Sequence, residues 1–191
     1  MHGSTPATTW TTVRDADGLQ PKRKLRVGAL DVACLLAGPP EGRCVLWVHG
    51  FPSNAHLWRD CLPVAAAAGV RSIAPDLAGL GETAAPQSTD FGFEGQARIL
   101  DALLEGMDVR SVQLVGEGIG ATVCMALARR LWGRGRVGAM ALLDAPPIPT
   151  AVPLRAWPGS NGFPRPAAVP SWAAAAALAR SGAGDSVLRA L

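Results

Sequence analysis

The feature that most constrains the fold is an alternation of short apolar runs with helix-like segments between residues 25 and 145. Residues 25–37 are typical of two strands joined by a tight turn, and residues 44–50, 71–76, 111–116 and 137–145 are typical of further strands. Such an alternation favours a mostly parallel sheet with helices on both faces. We therefore expect an α/β fold, built as a three-layer αβα sandwich.

Three helices are predicted between these strands. Ser53 and Asn54 are suitable caps for a single helix that Gly69 ends, and the other two helices span residues 93–107 and 119–132. The helix at 93–107 has an apolar face that includes Leu100, and we expect Asp101 to lie on its opposite, solvent-facing side.

The chain of 191 residues has a net charge of +3, and its basic residues fall into two groups. Lys22, Arg23, Lys24 and Arg26 are expected to form a solvated strand entry. A second group lies at the C-terminus of the helix at 119–132, where the helix macrodipole favours cations; its members are Arg129, Arg130, Arg134 and Arg136. Neither group resembles a nucleic-acid-binding module, so we expect no nucleic-acid partner.

The four cysteines show no paired spacing typical of metal sites or disulfide frameworks, and we expect free thiols in a reducing compartment. No segment has the length and apolar composition of a membrane span or a signal peptide, which predicts a cytoplasmic protein without membrane contact. We divide the chain into an N-terminal extension (1–24), a core (25–146) and a Pro/Ala-rich tail (147–191).

Four sequence blocks follow predicted strands, at the edge of the sheet where open α/β folds bind ligands. They are HGFP at 49–52, PDLAGLGETAAP at 75–86, LVGEGIG at 114–120 and LLDAPPIP at 142–149. In this order and spacing the blocks resemble the N-terminal part of the α/β-hydrolase fold, in particular its epoxide hydrolase and haloalkane dehalogenase branch. The resemblance covers residues 25–150 and implies an incomplete hydrolase fold, whose tail begins a cap.

The resemblance assigns roles to individual positions. Phe51 and Ile119 match the residues whose backbone N–H groups form the oxyanion hole, and the pocket would be lined by four residues near the first block. These four are His49, Gly50, Pro52 and Trp58. The nucleophile position is Gly118, which has no nucleophilic atom, and Asp144 matches a position that holds the acid of some dehalogenases.

Several parts of the hydrolase mechanism are missing from the sequence. The chain has three histidines and no tyrosine, whereas the family's catalytic histidine follows a cap and the epoxide hydrolases use cap tyrosines. Glu117 is a candidate for a displaced nucleophile, although a one-residue shift on a sharp turn redirects the side chain. We therefore expect a catalytically incomplete hydrolase relative, which is either an unfinished product or a pseudo-enzyme that binds a small apolar molecule.

A different hypothesis treats the same glycines as a dinucleotide-binding turn. Gly116, Gly118 and Ala121 satisfy the G-x-G-x-x-[GA] pattern between a strand and a helix, and Asp144 would meet the ribose. This hypothesis leaves the other three blocks unexplained, so we expect no cofactor and no metal. The last apolar strand would form an open sheet edge, through which the chain is expected to self-associate unless the tail covers it.

Overall fold

The structure is a computed structural model and describes residues 21–145. Its strands are β1 (Arg23–Val27), β2 (Leu30–Ala37), β3 (Arg43–Val48), β4 (Val70–Pro75), β5 (Val112–Glu117) and β6 (Val137–Leu143). Its α-helices are α1 (Cys61–Ala67), α2 (Phe93–Gly106) and α3 (Ile119–Trp132), and a short 3₁₀ helix spans Ala55–Trp58. The predicted tail at 147–191 and most of the predicted extension lie outside the described residues.

The strands of the described region form one mixed sheet in the order β1-β2-β4-β3-β5-β6. β1 and β2 pair antiparallel with each other, and β2 also pairs antiparallel with β4. The remaining pairs, β4 with β3, β3 with β5 and β5 with β6, are parallel. The mostly parallel sheet predicted from the sequence is therefore confirmed.

Both faces of the sheet are covered, which explains why its central strands are almost entirely apolar. Alternate residues of β3 enter different layers: Leu46 packs with α2 and α3 in one hydrophobic cluster, whereas Val45 and Trp47 pack with α1 and the 3₁₀ helix in another. Because successive strand residues point to opposite faces, one strand contributes to both cores. The predicted three-layer αβα arrangement is thus confirmed.

The predicted single helix between residues 53 and 69 is wrong. The Asn54 side chain caps only a 3₁₀ turn, by accepting a hydrogen bond from the His56 N–H at 2.9 Å, and α1 begins later at Cys61. The side chain of Ser53 turns the other way and donates to the Gly50 carbonyl. A capping residue predicts where helical backbone starts, but tertiary contacts decide how far it continues.

The polar face predicted for α2 also needs correction. Asp101 is only 5% exposed, because one arginine of α3 and two arginines of the segment between α3 and β6 lie against it. The nearest nitrogens of Arg130, Arg134 and Arg136 lie 3.4, 3.8 and 3.3 Å from its carboxylate. These cations therefore form ion pairs that join α2 to α3 and to the segment after α3, an arrangement that periodicity within α2 could not reveal.

The two edges of the described sheet differ in chemistry. β1 exposes Arg23, Lys24 and Arg26, and charged residues on an edge strand discourage pairing with other strands. β6 carries partly exposed apolar residues such as Met140 and Leu142, and no strand within residues 21–145 pairs with its outer side. Self-association through β6 stays a prediction.

All four cysteines are free thiols, as the sequence predicts. Burial raises the pKa of the Cys44 thiol to about 11 and also raises the pKa values of Cys34 and Cys124, so these thiols remain protonated near neutral pH. Among residues 21–145, no helix is long and apolar enough to cross a membrane, and no three potential metal ligands lie together.

Candidate functional site

The candidate site lies where the parallel strands β3, β4 and β5 end. The loop after β3 carries the HGFP block, the loop after β4 carries the PDLAGLGETAAP block, and β5 turns directly into α3 at Gly118. Carboxyl ends of parallel strands meet at one edge of the sheet, so these three blocks share that edge.

The backbone of the HGFP loop is held by its Gly50 carbonyl. This oxygen accepts hydrogen bonds from the Ser53 N–H at 3.1 Å, the Ser53 hydroxyl at 2.9 Å and the His49 Nδ1–H at 2.8 Å. The Gly50–Phe51 peptide is trans, so its N–H points away from its carbonyl. The Phe51 N–H is therefore directed away from the loop, and no acceptor in residues 21–145 binds it.

His49 is buried and holds this loop through hydrogen bonds, so its side chain does not line the pocket. Its ring is fully buried, and its Nε2 accepts a hydrogen bond from the Leu77 N–H at 3.0 Å while its Nδ1–H donates to Gly50. Burial lowers the pKa of this imidazole, which favours the neutral form that these two bonds require. Both ring nitrogens are occupied, so His49 links two loops and is not available as a catalytic base.

Acidification is expected to destabilise the fold through His49. The unfolded imidazole binds a proton near its ordinary pKa of 6.5, whereas the folded one has a lower pKa. Its contribution to the free energy of unfolding is therefore complete above about pH 6.5 and is lost as the pH falls through the folded pKa. Urea unfolding at about pH 7.5, 6.5 and 5.5 measures this slope.

A His49→Asn variant provides the control for this pH dependence, because it removes the titrating ring and keeps His56. The variant should be less stable than the natural chain at neutral pH and should lose less stability on acidification. Equal slopes for the two proteins would mean that other groups cause the acid sensitivity.

The turn between β5 and α3 has the backbone of a nucleophile elbow. Gly118 has φ 55° and ψ −125°, a conformation that residues with side chains rarely adopt. Its N–H donates to the Leu143 carbonyl at 3.0 Å, and its own carbonyl accepts from the Ala121 N–H at 3.1 Å. Because that carbonyl is held, the N–H of Ile119 in the same peptide points the other way, and no acceptor in the described chain binds it.

The neighbouring glycines let α3 approach the sheet. A Cβ on Gly120 would overlap the carbonyl oxygens of Val48 and His49, and a Cβ on Gly116 would lie 2.8 Å from the Cα of Ala121. Such close contacts exclude any larger residue at both positions. Packing between α3, β3 and β5 therefore accounts for the glycine pattern, and the dinucleotide hypothesis gains no support from it.

Gly118 itself is different, because it is not crowded. A Cβ built there would have the Gly50 Cα, at 3.7 Å, as its nearest neighbour outside the adjacent residues, which is ordinary van der Waals contact. There is consequently space for a side chain at position 118, where the sequence blocks predict the nucleophile position.

Glu117 is the last residue of β5, directly before Gly118, and it is partly buried. Its carboxylate lies so close to Gly50 that it would overlap a Cβ added to that glycine. Within residues 21–145, the carboxylate of Glu117 has no hydrogen-bonding or ion-pair partner. Gly50 thus lies next to Glu117 and also next to the position that a side chain on Gly118 would occupy.

Of the predicted site residues, Trp58 has other surroundings than expected. Trp58 is 4% exposed and packs against Trp47 with ring centroids 5.3 Å apart, so it belongs to the core and does not line the pocket. Asp144 is exposed, and it directly follows Leu143, whose carbonyl binds the elbow. Pro52 and the Phe51 side chain are exposed beside the site, with Phe51 70% exposed.

Sequence analysis missed a buried ion pair that joins the site's loops. Asp76 lies in the loop after β4, and Lys22, predicted to be solvated, has a side chain that is only 2% exposed. The Lys22 ammonium donates to the Asp76 carboxylate at 2.7 Å, and the same carboxylate accepts from the N–H groups of Ala55 and Glu82 at 2.7 Å each. The only signal in the sequence was an acidic residue directly after a buried strand.

A second missed residue fixes the middle of the same loop. The Gln96 side chain of α2 is buried and forms two hydrogen bonds of 2.9 Å with the backbone of Ala78, one to its N–H and one to its carbonyl. This amide pairing explains a polar residue on the buried face of α2. It also connects the candidate site to the helix layer.

Comparison with known proteins agrees with this geometry. A family model described as the α/β hydrolase fold matches residues 44–190, which is most of the chain. The chain belongs to the α/β hydrolase fold family. The assignment of Gly118 to the nucleophile position and of Phe51 to the oxyanion loop stays a prediction from the sequence blocks.

Relatives in the family include dehalogenases and epoxide hydrolases. A haloalkane dehalogenase of Mesorhizobium japonicum is 42% identical over 90 residues, covering 47% of this chain and 28% of that protein. The structure of a Vigna radiata epoxide hydrolase variant is 32% identical with a TM-score of 0.60, covering 65% of this chain and 38% of the other.

A third similar protein is a loop variant of a haloalkane dehalogenase from Bradyrhizobium elkanii, at 30% identity and a TM-score of 0.58, covering 64% of this chain and 39% of the other. The chain thus spans less than half the length of each of these three relatives.

Proposed function

We propose that this chain is a catalytically silent member of the α/β hydrolase fold family that binds a small, mainly apolar molecule through an acceptor oxygen. One observation carries the proposal: the elbow keeps its backbone geometry and both outward-pointing amides, while Gly118 has no nucleophilic atom. Backbone donors survive side-chain replacement, so binding of an oxygen atom can outlast the loss of catalysis.

Exposed aromatic side chains in the loop after β3 and near the loop after β4 support an apolar ligand. Phe51 is 70% exposed, and Phe91 and Phe93, before and at the start of α2, are each 46% exposed. Large exposed apolar side chains at a ligand-binding edge favour contact with an apolar molecule. The names of the relatives refer to haloalkanes and epoxides, which are also small molecules of low polarity.

The absence of turnover is tested with a haloalkane, an epoxide and p-nitrophenyl acetate. The natural chain and a Glu117→Gln variant should both show the background rate, because neither position 117 nor position 118 supplies an effective nucleophile. Turnover that disappears in Glu117→Gln would identify Glu117 as a displaced nucleophile. Turnover in both proteins would also overturn the proposal, since catalysis would then use another group.

The binding half of the proposal is tested by NMR with acetophenone, an apolar ligand with one acceptor oxygen. Its addition should shift the backbone amide signals of Phe51 and Ile119, because a hydrogen bond to the carbonyl deshields both protons. The amide of Gly42, in the turn between β2 and β3 at the opposite edge of the sheet, serves as an internal control. Unchanged Phe51 and Ile119 signals at saturating acetophenone would contradict binding at the elbow.

A further inference from the structure

The chemistry around the elbow is not that of a simple oxyanion site, because a carboxylate lies against Gly50, the residue that directly precedes one of the two donors. Glu117 is partly buried, and its carboxylate lies against Gly50. Gly50 directly precedes Phe51, and Glu117 lies two residues before Ile119. In the described part of the chain no Lys, Arg or backbone N–H binds the Glu117 carboxylate.

The nearby ionisable groups do not neutralise this carboxylate. The Lys22 ammonium lies 2.7 Å from Asp76 and 3.3 Å from Glu82. The imidazole of His49 is held neutral by its two hydrogen bonds. A ligand at the elbow therefore meets a Glu117 carboxylate that no cation in residues 21–145 pairs with, and such a carboxylate repels an anionic ligand and attracts a hydrogen-bond donor.

The two donors are fixed before any ligand arrives. The Gly50 carbonyl is held by three hydrogen bonds and the Gly118 carbonyl by one, so the N–H groups of Phe51 and Ile119 keep their directions. Binding loses less free energy when the donors need no reordering. A side chain at Gly118 would have the Gly50 Cα, at 3.7 Å, as its nearest neighbour outside the adjacent residues, so a ligand atom has room at this position.

We propose that this site selects uncharged primary amides. The amide carbonyl accepts hydrogen bonds from Phe51 N–H and Ile119 N–H, and the amide NH₂ group donates to the Glu117 carboxylate. A ketone or ester satisfies only the two backbone donors, and a carboxylate ligand is repelled by Glu117. This inference rests on the proposed function, because it names the class of ligand that the same site binds.

The experiment compares three ligands that differ only beside the aromatic ring: benzamide, acetophenone and benzoate. Each is titrated into the full ¹⁵N-labelled chain, and the shifts of the Phe51 and Ile119 amides give the dissociation constants. Benzamide should bind about tenfold more tightly than acetophenone, because it adds one hydrogen bond to a charged group. Benzoate should bind most weakly.

Two variants with the same change of charge separate a local effect of Glu117 from a general one. In Glu117→Gln the preference for benzamide over benzoate should fall at least about tenfold, because the repulsion and the charge-assisted bond are both lost. In Glu41→Gln, in the exposed turn between β2 and β3, the preference should not change.

The outcomes distinguish this inference from the proposed function. Binding of acetophenone as tight as that of benzamide, or tightest binding of benzoate, would overturn amide selectivity and leave acceptor binding at the elbow intact. An unchanged ligand preference in Glu117→Gln would also overturn it. If none of the three ligands shifts the Phe51 and Ile119 amides, both the inference and the proposed binding function are wrong.

Discussion

A Gly118→Asp variant is expected to form a stable covalent adduct with a primary bromoalkane, whereas the natural chain forms none at this position. The new carboxylate would stand at the elbow, beside Gly50 and in front of the Ile119 amide. One of its oxygens would form a bond to the alkyl carbon as the carbon–bromine bond breaks and bromide leaves with the electron pair. Intact-protein mass spectrometry should detect one added alkyl group.

The adduct should persist because its hydrolysis needs a base at the elbow. Within residues 21–145 the histidines are His49 and His56; His49 uses both ring nitrogens, and the His56 Nδ1 lies 3.2 Å from the Asn54 side chain. The expected result is one stoichiometric alkylation without turnover. Release of alcohol over many cycles would show that another group supplies the base.

A Gly118→Asn variant is the matched control, because the asparagine side chain has the size of aspartate and must adopt the same backbone conformation, but it has no nucleophilic carboxylate. Both variants should fold, since the added Cβ meets no atom closer than 3.7 Å apart from the adjacent residues. Each should lose about 1 to 3 kcal/mol of stability, the usual cost of a side chain in such a backbone conformation. Equal labelling of both variants would indicate alkylation elsewhere, for example at the partly exposed Cys61.

An Asp76→Asn variant is expected to lose about 3 kcal/mol of unfolding free energy, more than most single substitutions in this chain. The change leaves the buried Lys22 ammonium without its 2.7 Å partner and weakens the acceptor of two backbone N–H groups. Since these bonds join the loops after β3 and β4, the NMR signal of the Phe51 amide should also broaden or shift. Urea unfolding at neutral pH measures the loss of stability.

The matched control is Asp108→Asn, which removes an exposed carboxylate that pairs with Arg110 at 3.5 Å. Exposed ion pairs contribute little, so this variant should be nearly as stable as the natural chain. A Lys22→Met change added to Asp76→Asn should restore part of the stability, because it removes the unpaired charge. Equal stabilities of Asp76→Asn and Asp108→Asn would mean that the buried pair does not stabilise the loops.

The sequence predicted the elements whose patterns are local and repeated. The bounds of α3 agree with the prediction at both ends, those of α2 agree to within one residue, and each predicted strand is present. Apolar strands buried on both faces and helices with an apolar face carry a signal in the sequence itself, because burial repeats with the period of the element. The four motif blocks are also local in the sequence, and their order and spacing were sufficient to predict the family.

The sequence could not predict contacts between residues that are distant along the chain. Lys22 and Asp76 are 54 residues apart, and Arg136 and Asp101 are 35 apart, so no local pattern links them. Trp58 was predicted to line the pocket because it follows the HGFP block, but the short 3₁₀ turn directs it onto Trp47 in the core. Polar and aromatic side chains acquire their surroundings from packing, which periodicity does not encode.

Position 118 shows the division between sequence and structure. The sequence alone predicted that glycine occupies the position at which the family's pattern has a nucleophile. Only the tertiary structure decided that the elbow remains, since its backbone is held by Leu143 from β6 and Ala121 from α3, and its neighbouring donor by Gly50 from the loop after β3. A side chain is a local property of the sequence, whereas the direction of a backbone N–H depends on every hydrogen bond that fixes its peptide plane.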